Sequence, residues 1–351
     1  MKTSIINAIG NTPLISLELD KESKASVYAK LEMQNPFGMK DRVAKTIIFN
    51  AIDNGQLKKG DPIIESSSGT LAMGIALVGK YLGFDVHIVT DPRIDELTFV
   101  KLKSLDVHIH IIDKMAAAGG WQQARLEYLY QFLATHPNAF WPQQYENPNN
   151  PLSYRLLAEE LLNEIEQVDY LVGGVGSGGS LCGTAHALKE QNPDLRVIAV
   201  DAIGSAIFNQ KDNPHRLQSG LGNSIHPKNV DYTIIDEAHW LNDEEAFTWT
   251  RELARHEQIF AGNSSGSVYA VSRWLSKNVD RGKNIICIFP DRGDRYLNTI
   301  YNDDYCKANS ICIHNLNSSP INNNKKENLS TWFFSRINKG EYSIDEKISL
   351  Y

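Results

Sequence analysis

Short apolar runs alternate with longer amphipathic runs along the chain, as far as about residue 305. The apolar runs predict strands at residues 27–30, 62–65, 86–89, 107–112, 170–173, 196–201, 232–235 and 284–289. Between them, apolar positions at helical spacing predict helices at residues 43–52, 71–82, 96–105, 120–134, 156–167, 181–191 and 244–256. Strands that alternate with helices of this length are typical of βαβ units. The pattern therefore predicts an α/β fold with parallel-rich sheets flanked by helices.

Chain length and two changes of composition predict the domain organisation. The 351 residues suffice for about two domains, and a Pro- and Asn-rich stretch at residues 141–151 marks a boundary or a crossing loop. We expect residues 1–39 and 146–305 to form a large domain and residues 40–145 a smaller, mobile one. Beyond Tyr305 the periodicity disappears and Asn, Ser and Lys accumulate. Residues 306–351 are therefore predicted to be an Asn-rich, flexible tail, with an apolar island at 332–334 suited to docking.

Composition and charge exclude some classes of partner. The chain is 42% hydrophobic and 22% charged, which is ordinary for a soluble globular protein. Its net charge is -7 and it carries no basic block, so we expect no nucleic-acid partner. No apolar run approaches the ~18 residues that span a bilayer, and the first residues do not resemble a signal peptide. The sequence predicts a cytoplasmic protein without a membrane partner.

The cysteines and histidines do not predict a metal site. No C-x-x-C spacing occurs, which argues against a zinc site or a disulfide framework and favours a reducing compartment. The cysteines are Cys182, Cys287, Cys306 and Cys312. Three histidines, His87, His108 and His110, lie inside predicted strands. We interpret them as structural, since no further ligand is evident beside them.

Lys40 is the first candidate for chemistry. A turn containing Asn35-Pro36 and Gly38 precedes it, and a helix-patterned run follows. Lysine forms Schiff bases with carbonyl compounds when its amine can lose a proton. Burial or a nearby cation lowers the pKa of a lysine, and Arg42 and Lys45 are candidate cations. Because most lysines at a helix start are simply solvated, this hypothesis depends on other segments.

A glycine-rich loop between a predicted strand and a predicted helix is typical of phosphate binding. Glycines let the backbone approach the anion, and the free N–H groups at the helix start bind it. Two serines add hydroxyl donors. The candidate residues are Gly176, Ser177, Gly178, Gly179 and Ser180.

The same loop permits a dinucleotide-binding alternative. Gly174, Gly176 and Gly179 match G-x-G-x-x-G, and Asp201 ends the next predicted strand, where it could bind a ribose. This predicts an NAD-dependent oxidoreductase. However, the fingerprint usually opens a dinucleotide-binding domain, whereas several βα units precede it here.

Pyridoxal 5'-phosphate accounts for more of the sequence. Its aldehyde needs a lysine, its phosphate a helix N-terminus, and its ring nitrogen a polar partner. Lys40, the 176–180 loop and Ser264 supply these groups. The loop Ser66-Ser67-Ser68-Gly69-Thr70 also opens a helix and is suited to a substrate carboxylate.

These segments, in this order, resemble the cysteine synthase / cystathionine β-synthase family of pyridoxal-phosphate enzymes. The resemblance extends from residues 9–14 to residues 294–297. It implies the two-domain, tryptophan synthase β-like architecture called fold type II, and a homodimer. It implies that Lys40 is the Schiff-base lysine and that Thr70, the 176–180 loop and Ser264 bind the cofactor. The implied substrate-binding residues are Ser67, Ser68, Gly69, Thr70, Gln144 and Gly220.

The resemblance also implies a reaction. O-acetylserine or O-phosphoserine would lose its leaving group to give an α-aminoacrylate, which a nucleophile then attacks, with Lys40 as acid and base. This is β-replacement of the cysteine synthase kind. A catalytically weak relative that serves as a binding partner remains an alternative.

Departures from the family pattern point to a subgroup. Thr70 stands where an asparagine is expected, Leu71 replaces a hydroxyl residue, and the lysine segment is one residue shorter. Residues 91–94, 199–205 and 290–297 resemble siderophore-pathway synthases that join phosphoserine to glutamate. The nucleophile is therefore left open between sulfide, another thiol and an amino-acid amine such as that of glutamate.

Overall fold

A computed structural model of the chain describes residues 3–117, 120–313, 317–323 and 330–338. The helices are α1 Lys40–Asp53, α2 Thr70–Tyr81, α3 Glu96–Ser104, α4 Gly120–Thr135, α5 Asn149–Leu152, α6 Arg155–Glu164, α7 Gly179–Lys189, α8 Asp243–His256, α9 Asn263–Asn278 and α10 Asp303–Ala308. The strands are β1 Leu14–Ser16, β2 Ser26–Lys30, β3 Ile63–Ser66, β4 Val86–Thr90, β5 His108–Ile111, β6 Tyr170–Gly174, β7 Arg196–Ala202, β8 Glu237–Leu241, β9 Asn284–Ile288, β10 Ile321–Asn322 and β11 Phe333–Arg336.

Two sheets organise these elements. The larger has eight strands in the order β1-β2-β9-β6-β7-β8-β11-β10. Five neighbouring strands of this sheet run parallel to one another, namely β2, β9, β6, β7 and β8. Strands β1 and β11 join antiparallel to β2 and β8. The smaller sheet has the order β3-β4-β5 and is wholly parallel. The predicted α/β architecture with parallel-rich sheets flanked by helices is confirmed.

All three strands of the smaller sheet fall between residues 40 and 145. Helix α2 lies over this sheet because its sequence is almost wholly apolar, and Leu71 to Gly79 are all buried. Gly74 lets α2 pack closely on α1, since a methyl group there would lie 3.0 Å from the Lys40 carbonyl oxygen. The start of α1 is therefore set by a glycine contact. The division into a large and a mobile small domain stays a prediction.

The structure differs from the prediction near residue 235 and near residue 270. Residues 232–235 were expected to be a strand, but residues 232–234 form a turn and residue 235 lies outside any strand. Asp231 Oδ1 stabilises the turn by accepting hydrogen bonds from the N–H and hydroxyl of Thr233 at 2.9 and 2.6 Å. The strand lies just after them, at β8. Helix α9 was not predicted, since its serine-rich sequence has weak helix propensity. Tertiary packing overrides that propensity, because most residues of α9 are buried.

The described parts of residues 306–351 include a segment that docks on the larger sheet, while the flexibility expected of this tail stays a prediction. Strand β11 pairs with β8, and Trp332 and Phe333 are buried in two different hydrophobic clusters. Consecutive strand residues point to opposite faces of a sheet, so this aromatic pair covers both faces of the sheet at once. Residues 314–316, 324–329 and 339–351 lie outside the described residues.

None of the helices in the described part of the chain combines the length and the apolar character needed to cross a membrane.

The docking of the C-terminal segment is testable through Trp332. Its side chain is 1% exposed, and its indole N–H donates to His239 Nδ1 at 3.2 Å. Trp332→Ala is expected to lower the free energy of unfolding by about 3–5 kcal/mol, since it leaves a large cavity. The measurement is chemical denaturation. Ile321→Ala is the control, because Ile321 belongs to the same segment but is 49% exposed. Equal midpoints for the two variants would contradict the docking.

Candidate functional site

Lys40 lies directly against the glycine-rich loop. It is the first residue of α1, and the preceding turn is closed by Asp41, whose Oδ2 accepts the Phe37 N–H at 2.8 Å. Lys40 Nζ donates to Ser177 Oγ at 3.1 Å. Two segments that are 137 residues apart in the sequence are therefore in hydrogen-bond contact.

Burial prepares the Lys40 amine for chemistry. Removal from water disfavours the ammonium form, and it lowers the pKa of Lys40 to about 8. The cations suggested from the sequence do not cause this shift. Arg42 is paired with Glu32 and Glu160, and Lys45 donates to the Ile6 carbonyl at 3.3 Å. The sequence-based explanation by neighbouring charge is therefore wrong, and the explanation by burial holds.

A buried ion network anchors α1 two residues after Lys40. Arg42 contacts Glu32 and Glu160, each at 2.7 Å, and Lys30 Nζ reaches Glu160 at 2.9 Å. Glu32 and Lys30 are 0% exposed. Although burial alone would raise it, hydrogen bonds from Arg42 hold the pKa of Glu160 at about 2. The network joins α1 to strand β2 and helix α6, so the lysine is fixed relative to the larger sheet.

The glycine-rich loop is shaped to leave its backbone open. It connects β6 to α7, and Gly178 has a φ of +84°, which favours glycine. A methyl group at Gly179 would overlap the side chain of Asn150. Asn150 Nδ2 donates to Ser177 Oγ at 3.1 Å and to the Gln144 carbonyl at 2.6 Å. Asn150 thus holds the loop against α5. The N-terminal N–H groups of α7 are of the kind that binds a phosphate, and this role of the loop stays a prediction.

Ser264 lies beside the same loop. It is in the first turn of α9 and is 1% exposed, and its Oγ has no hydrogen-bond partner among the described residues. A methyl group at Gly174 would lie 3.7 Å from Ser264 Cβ, and one at Gly220 would lie 3.6 Å from Ser264 Oγ. Within the described part of the chain, Ser265, Ser267 and Ser272 of the same helix also have unpartnered hydroxyls, so it is the position of Ser264 beside Gly174 and Gly220 that makes its hydroxyl a candidate partner for a bound group.

The serine loop at residues 66–70 follows β3 and opens α2. Ser67 is buried, and its Oγ accepts the Gly69 N–H at 3.3 Å. A methyl group at Gly38 would lie 3.5 Å from Thr70 Cγ2. The loop therefore lies beside the turn that carries Lys40. It presents the start of a helix, where a carboxylate binds favourably.

Gln144 connects to the same region through its backbone. It is buried, and its carbonyl accepts Asn150 Nδ2 at 2.6 Å and Asn229 Nδ2 at 2.9 Å. Its predicted contact with a substrate carboxylate stays a prediction, as do the other residue roles.

The residues present fit pyridoxal phosphate. Lys40 supplies a buried amine, and the 176–180 loop supplies a glycine-rich helix start. Ser264 supplies a buried hydroxyl without a hydrogen-bond partner among the described residues. Lys40 contacts the loop directly. Ser264 lies next to Gly174, which precedes the loop, and next to Gly220. These are the groups that the aldehyde, phosphate and ring nitrogen require.

Sequence reasoning missed two arginines beside the serine loop. Arg125 Nη1 is 3.5 Å from Ser68 Oγ and 3.2 Å from Asp91 Oδ2, and its buried Nε has no partner within the described part of the chain. Arg295 pairs with Asp95 at 2.8 Å, and a methyl group at Gly69 would lie 3.8 Å from its Nη2. Arg125 belongs to helix α4 and Arg295 to a short 3₁₀ helix at Gly293–Tyr296, so only the folded chain brings them to the site. The position of Asn150 likewise left no local signal.

The dinucleotide alternative does not fit the structure. Asp201 would have to reach a ribose, but it is 0% exposed within β7, and its Oδ1 accepts the Ala202 N–H at 2.8 Å. Burial raises the pKa of Asp201 to about 7. This carboxyl is therefore enclosed by the sheet.

Comparison with known proteins supports the cofactor. Residues 5–291 match the family described as pyridoxal-phosphate dependent enzyme. The chain is 38% identical to an N-(2-amino-2-carboxyethyl)-L-glutamate synthase from Ralstonia nicotianae over 306 residues, which are 86% of this chain and 90% of that protein.

Solved structures show the same fold. A cysteine synthase from Entamoeba histolytica matches with a TM-score of 0.80 and 26% identity, covering 90% of this chain and 97% of that one. An O-acetylserine dependent cystathionine β-synthase from Helicobacter pylori matches with a TM-score of 0.78 and 29% identity, covering 86% and 99%.

These matches confirm the predicted cofactor, the enzyme class and the cysteine synthase-like relationship, and they overturn the NAD-dependent alternative. With most of its length matching the family and its lysine, glycine loop and buried serine assembled at one place, the chain belongs to the pyridoxal-phosphate dependent enzymes.

Proposed function

We propose that the chain catalyses β-replacement on an O-activated L-serine. The observation that carries this proposal is the contact of Lys40 Nζ with Ser177 Oγ at 3.1 Å, made by a lysine whose pKa burial lowers to about 8. An amine in this state gives up and takes back a proton near neutral pH. It lies beside both the anion loop and the serine loop, as a reaction on an amino acid requires.

The chain's own residues divide the work. When bound, pyridoxal phosphate supplies an aldehyde for the substrate amine and a ring that withdraws electrons from the α carbon. Lys40 Nζ removes the α proton and later returns one. The N–H groups and hydroxyls of residues 67–70 hold the substrate carboxylate, while Ser264 meets the ring nitrogen with a neutral hydroxyl. A neutral partner does not force a proton onto that nitrogen, which favours loss of a β leaving group.

We propose that the leaving group is phosphate. Arg125 and Arg295 lie beside the serine loop, and we place the β substituent of a bound serine derivative next to them. Arginine binds phosphate well because its planar N–H groups match the oxygens. The unpartnered, buried Nε of Arg125 is a donor that an anionic donor substrate would satisfy. An acetyl ester carries no charge there and gains less.

We propose that the nucleophile is the amine of an acidic amino acid, with glutamate as the first candidate. The relative from Ralstonia nicotianae, 38% identical, is named as a synthase of N-(2-amino-2-carboxyethyl)-L-glutamate. Sulfide is the second candidate, because a similar solved structure from Entamoeba histolytica is a cysteine synthase. Both products follow from the same first half-reaction.

We further propose that residues 40–145 act as a closing domain, and that the enzyme is a cytoplasmic homodimer. Closure would exclude water from the reacting substrate. The ion pair between Asp95 and Arg295 supports this, since it joins the 40–145 segment to residues that follow β9. Size-exclusion chromatography with light scattering tests the dimer.

The donor and nucleophile are tested together in the purified holoenzyme. O-phosphoserine with glutamate is expected to release phosphate and to give an adduct detected by mass spectrometry, at a higher kcat/KM than O-acetylserine with glutamate.

Arg125→Met is expected to lower kcat/KM for O-phosphoserine about tenfold to a hundredfold, because a charged hydrogen bond is lost, with little effect on O-acetylserine. Arg93→Met is the control, because Arg93 shares Asp91 but is exposed. Turnover with sulfide only, or an equal loss for both donors, would overturn this assignment.

The Lys40 amine predicts a pH dependence of cofactor uptake by the apoprotein. Only the neutral amine reacts, so with a pKa of about 8 the rate is expected to rise roughly thirtyfold between pH 6.5 and 9 and then to level off. An ordinary lysine would continue to rise beyond pH 10. Absorbance change on mixing with pyridoxal phosphate measures the rate.

Borohydride reduction of the holoenzyme should attach the cofactor covalently to Lys40 and not to Lys45. Lys40→Ala should abolish this covalent attachment, whereas Lys45→Ala should leave it intact.

Ser264 is expected to contribute to cofactor affinity. Ser264→Ala removes one hydrogen bond worth about 0.5–1.5 kcal/mol, so the dissociation constant should rise about threefold to tenfold, measured by fluorescence titration of the apoprotein. Ser265→Ala is a matched control, since Ser265 is the adjacent buried serine of the same helix. An unchanged affinity in Ser264→Ala would remove this residue from the cofactor site.

A further inference from the structure

A compact group of metal-ligand side chains lies outside the active site. Among the described residues, Asp85, His87 and His108 place their ligand atoms within 4.8 Å of one another. Asp85 Oδ2 is 3.3 Å from His87 Nε2, and Asp85 Oδ1 is 2.9 Å from His108 Nε2. We propose that this His/Asp cluster, meaning Asp85, His87 and His108, binds a divalent transition metal ion of the zinc type.

Strand geometry explains why these three side chains meet. His87 on β4 is directly paired with His108 on β5, and side chains paired in this way lie on the same face of a sheet. Asp85 comes two residues before His87, which places it on that face as well. The period of two along a strand therefore places a carboxylate beside the histidines, where the sequence pattern predicts no further ligand. The expectation of no metal rested on cysteine spacing, which a site of this type does not use.

The distances suit tetrahedral coordination. Zinc binds imidazole nitrogen and carboxylate oxygen at about 2.0–2.2 Å, so neighbouring ligand atoms of a tetrahedron lie about 3.3–3.5 Å apart. The separation of 3.3 Å between Asp85 Oδ2 and His87 Nε2 is already of this size. The 2.9 Å contact of His108 Nε2 is made to the other carboxylate oxygen, Oδ1, so binding of one ion requires the Asp85 carboxylate or the His108 ring to turn. The imidazole rings of the two histidines are stacked with centroids 4.6 Å apart, so both are oriented towards the same carboxylate.

One side of the cluster is supported and the other is open. His87 Nδ1 is 3.0 Å from His110 Nε2, and His110 Nδ1 is 2.8 Å from the hydroxyl of Tyr128. A metal on His87 Nε2 leaves the proton on Nδ1, which then donates to His110, and His110 in turn donates to Tyr128. Such a hydrogen bond on the far nitrogen orients most metal-binding histidines. Asp85 and His108 are 52% and 58% exposed, so an ion enters from solvent and keeps a water ligand.

The ligand set also selects the class of ion. Two imidazoles and one carboxylate suit zinc, cobalt, nickel or copper, whereas magnesium and calcium prefer oxygen ligands alone. The cluster lies towards the amino ends of β4 and β5, while the serine loop follows the carboxyl end of β3. The proposed ion therefore stabilises the edge of the smaller sheet, at a distance from the substrate loop.

The test uses the chelator-treated and dialysed holoenzyme. Titration with Co²⁺ is expected to give visible absorption bands that saturate at one equivalent and disappear when Zn²⁺ is added. His108→Gln and Asp85→Asn are each expected to weaken Zn²⁺ binding at least about tenfold, measured by calorimetry. At the same Zn²⁺ concentration, the thermal midpoint should rise more in the wild-type protein than in these variants.

The matched control is His256→Gln. His256 is exposed and pairs with the carboxylate of Glu252 at 2.9 Å. Neither residue belongs to the cluster, so this variant is expected to bind like the wild type. Because Asp85 and His108 are exposed, both variants should fold, which circular dichroism checks. Absence of a saturable Co²⁺ spectrum, or equal Zn²⁺ affinity in His108→Gln and the wild type, would overturn the proposal. Neither result bears on the proposed β-replacement, which is measured separately.

Discussion

The arrangement of the active site depends on the buried ion network around Arg42. Its guanidinium is shared between Glu32 and Glu160, and Lys30 adds a second cation to Glu160. Removal of one partner from such a network costs about 3–5 kcal/mol, because the remaining charge is left buried and unpaired. The network therefore fixes the first turn of α1 against strand β2 and helix α6. Because Lys40 precedes Arg42 by two residues in the same helical turn, the network also fixes the position of Lys40.

The pairing of Arg42 with two carboxylates also explains why burial, and not charge repulsion, lowers the pKa of Lys40. If Arg42 were free, its charge would repel the Lys40 ammonium directly. Instead, its charge is compensated by two carboxylates, and removal from water lowers the pKa of Lys40. Packing supplies the remaining alignment. Gly74 lets α2 approach the start of α1, and Asn150 occupies the space that a side chain at Gly179 would need. The ion network around Arg42 and the close packing at Gly74 and Gly179 together hold the Lys40 amine in contact with the glycine-rich loop.

The parallel sheets account for where function is placed. In a parallel sheet the loops that follow the carboxyl ends of the strands lie on one edge, where ligands bind. The serine loop follows β3 and the glycine-rich loop follows β6. Both border the segment that carries Lys40, since Lys40 contacts Ser177 and Gly38 lies beside Thr70. The His/Asp cluster lies towards the opposite end of the smaller sheet. The smaller sheet thus carries the serine loop at one end and a cluster of metal-ligand side chains at the other.

The sequence by itself determined the α/β class, the strand–loop–helix nature of the glycine motif, and the candidacy of Lys40 and Ser264. These rest on local periodicity and on the chemistry of single residues, which are readable along the chain. Only the tertiary structure decided that Lys40 contacts Ser177, that Asn150 and Arg125 border the site, and that Trp332 packs on the sheet. Contacts between residues far apart in the chain follow from packing of whole elements, so local patterns do not encode them. For the same reason a serine-rich segment became helix α9, since burial outweighed its weak intrinsic propensity.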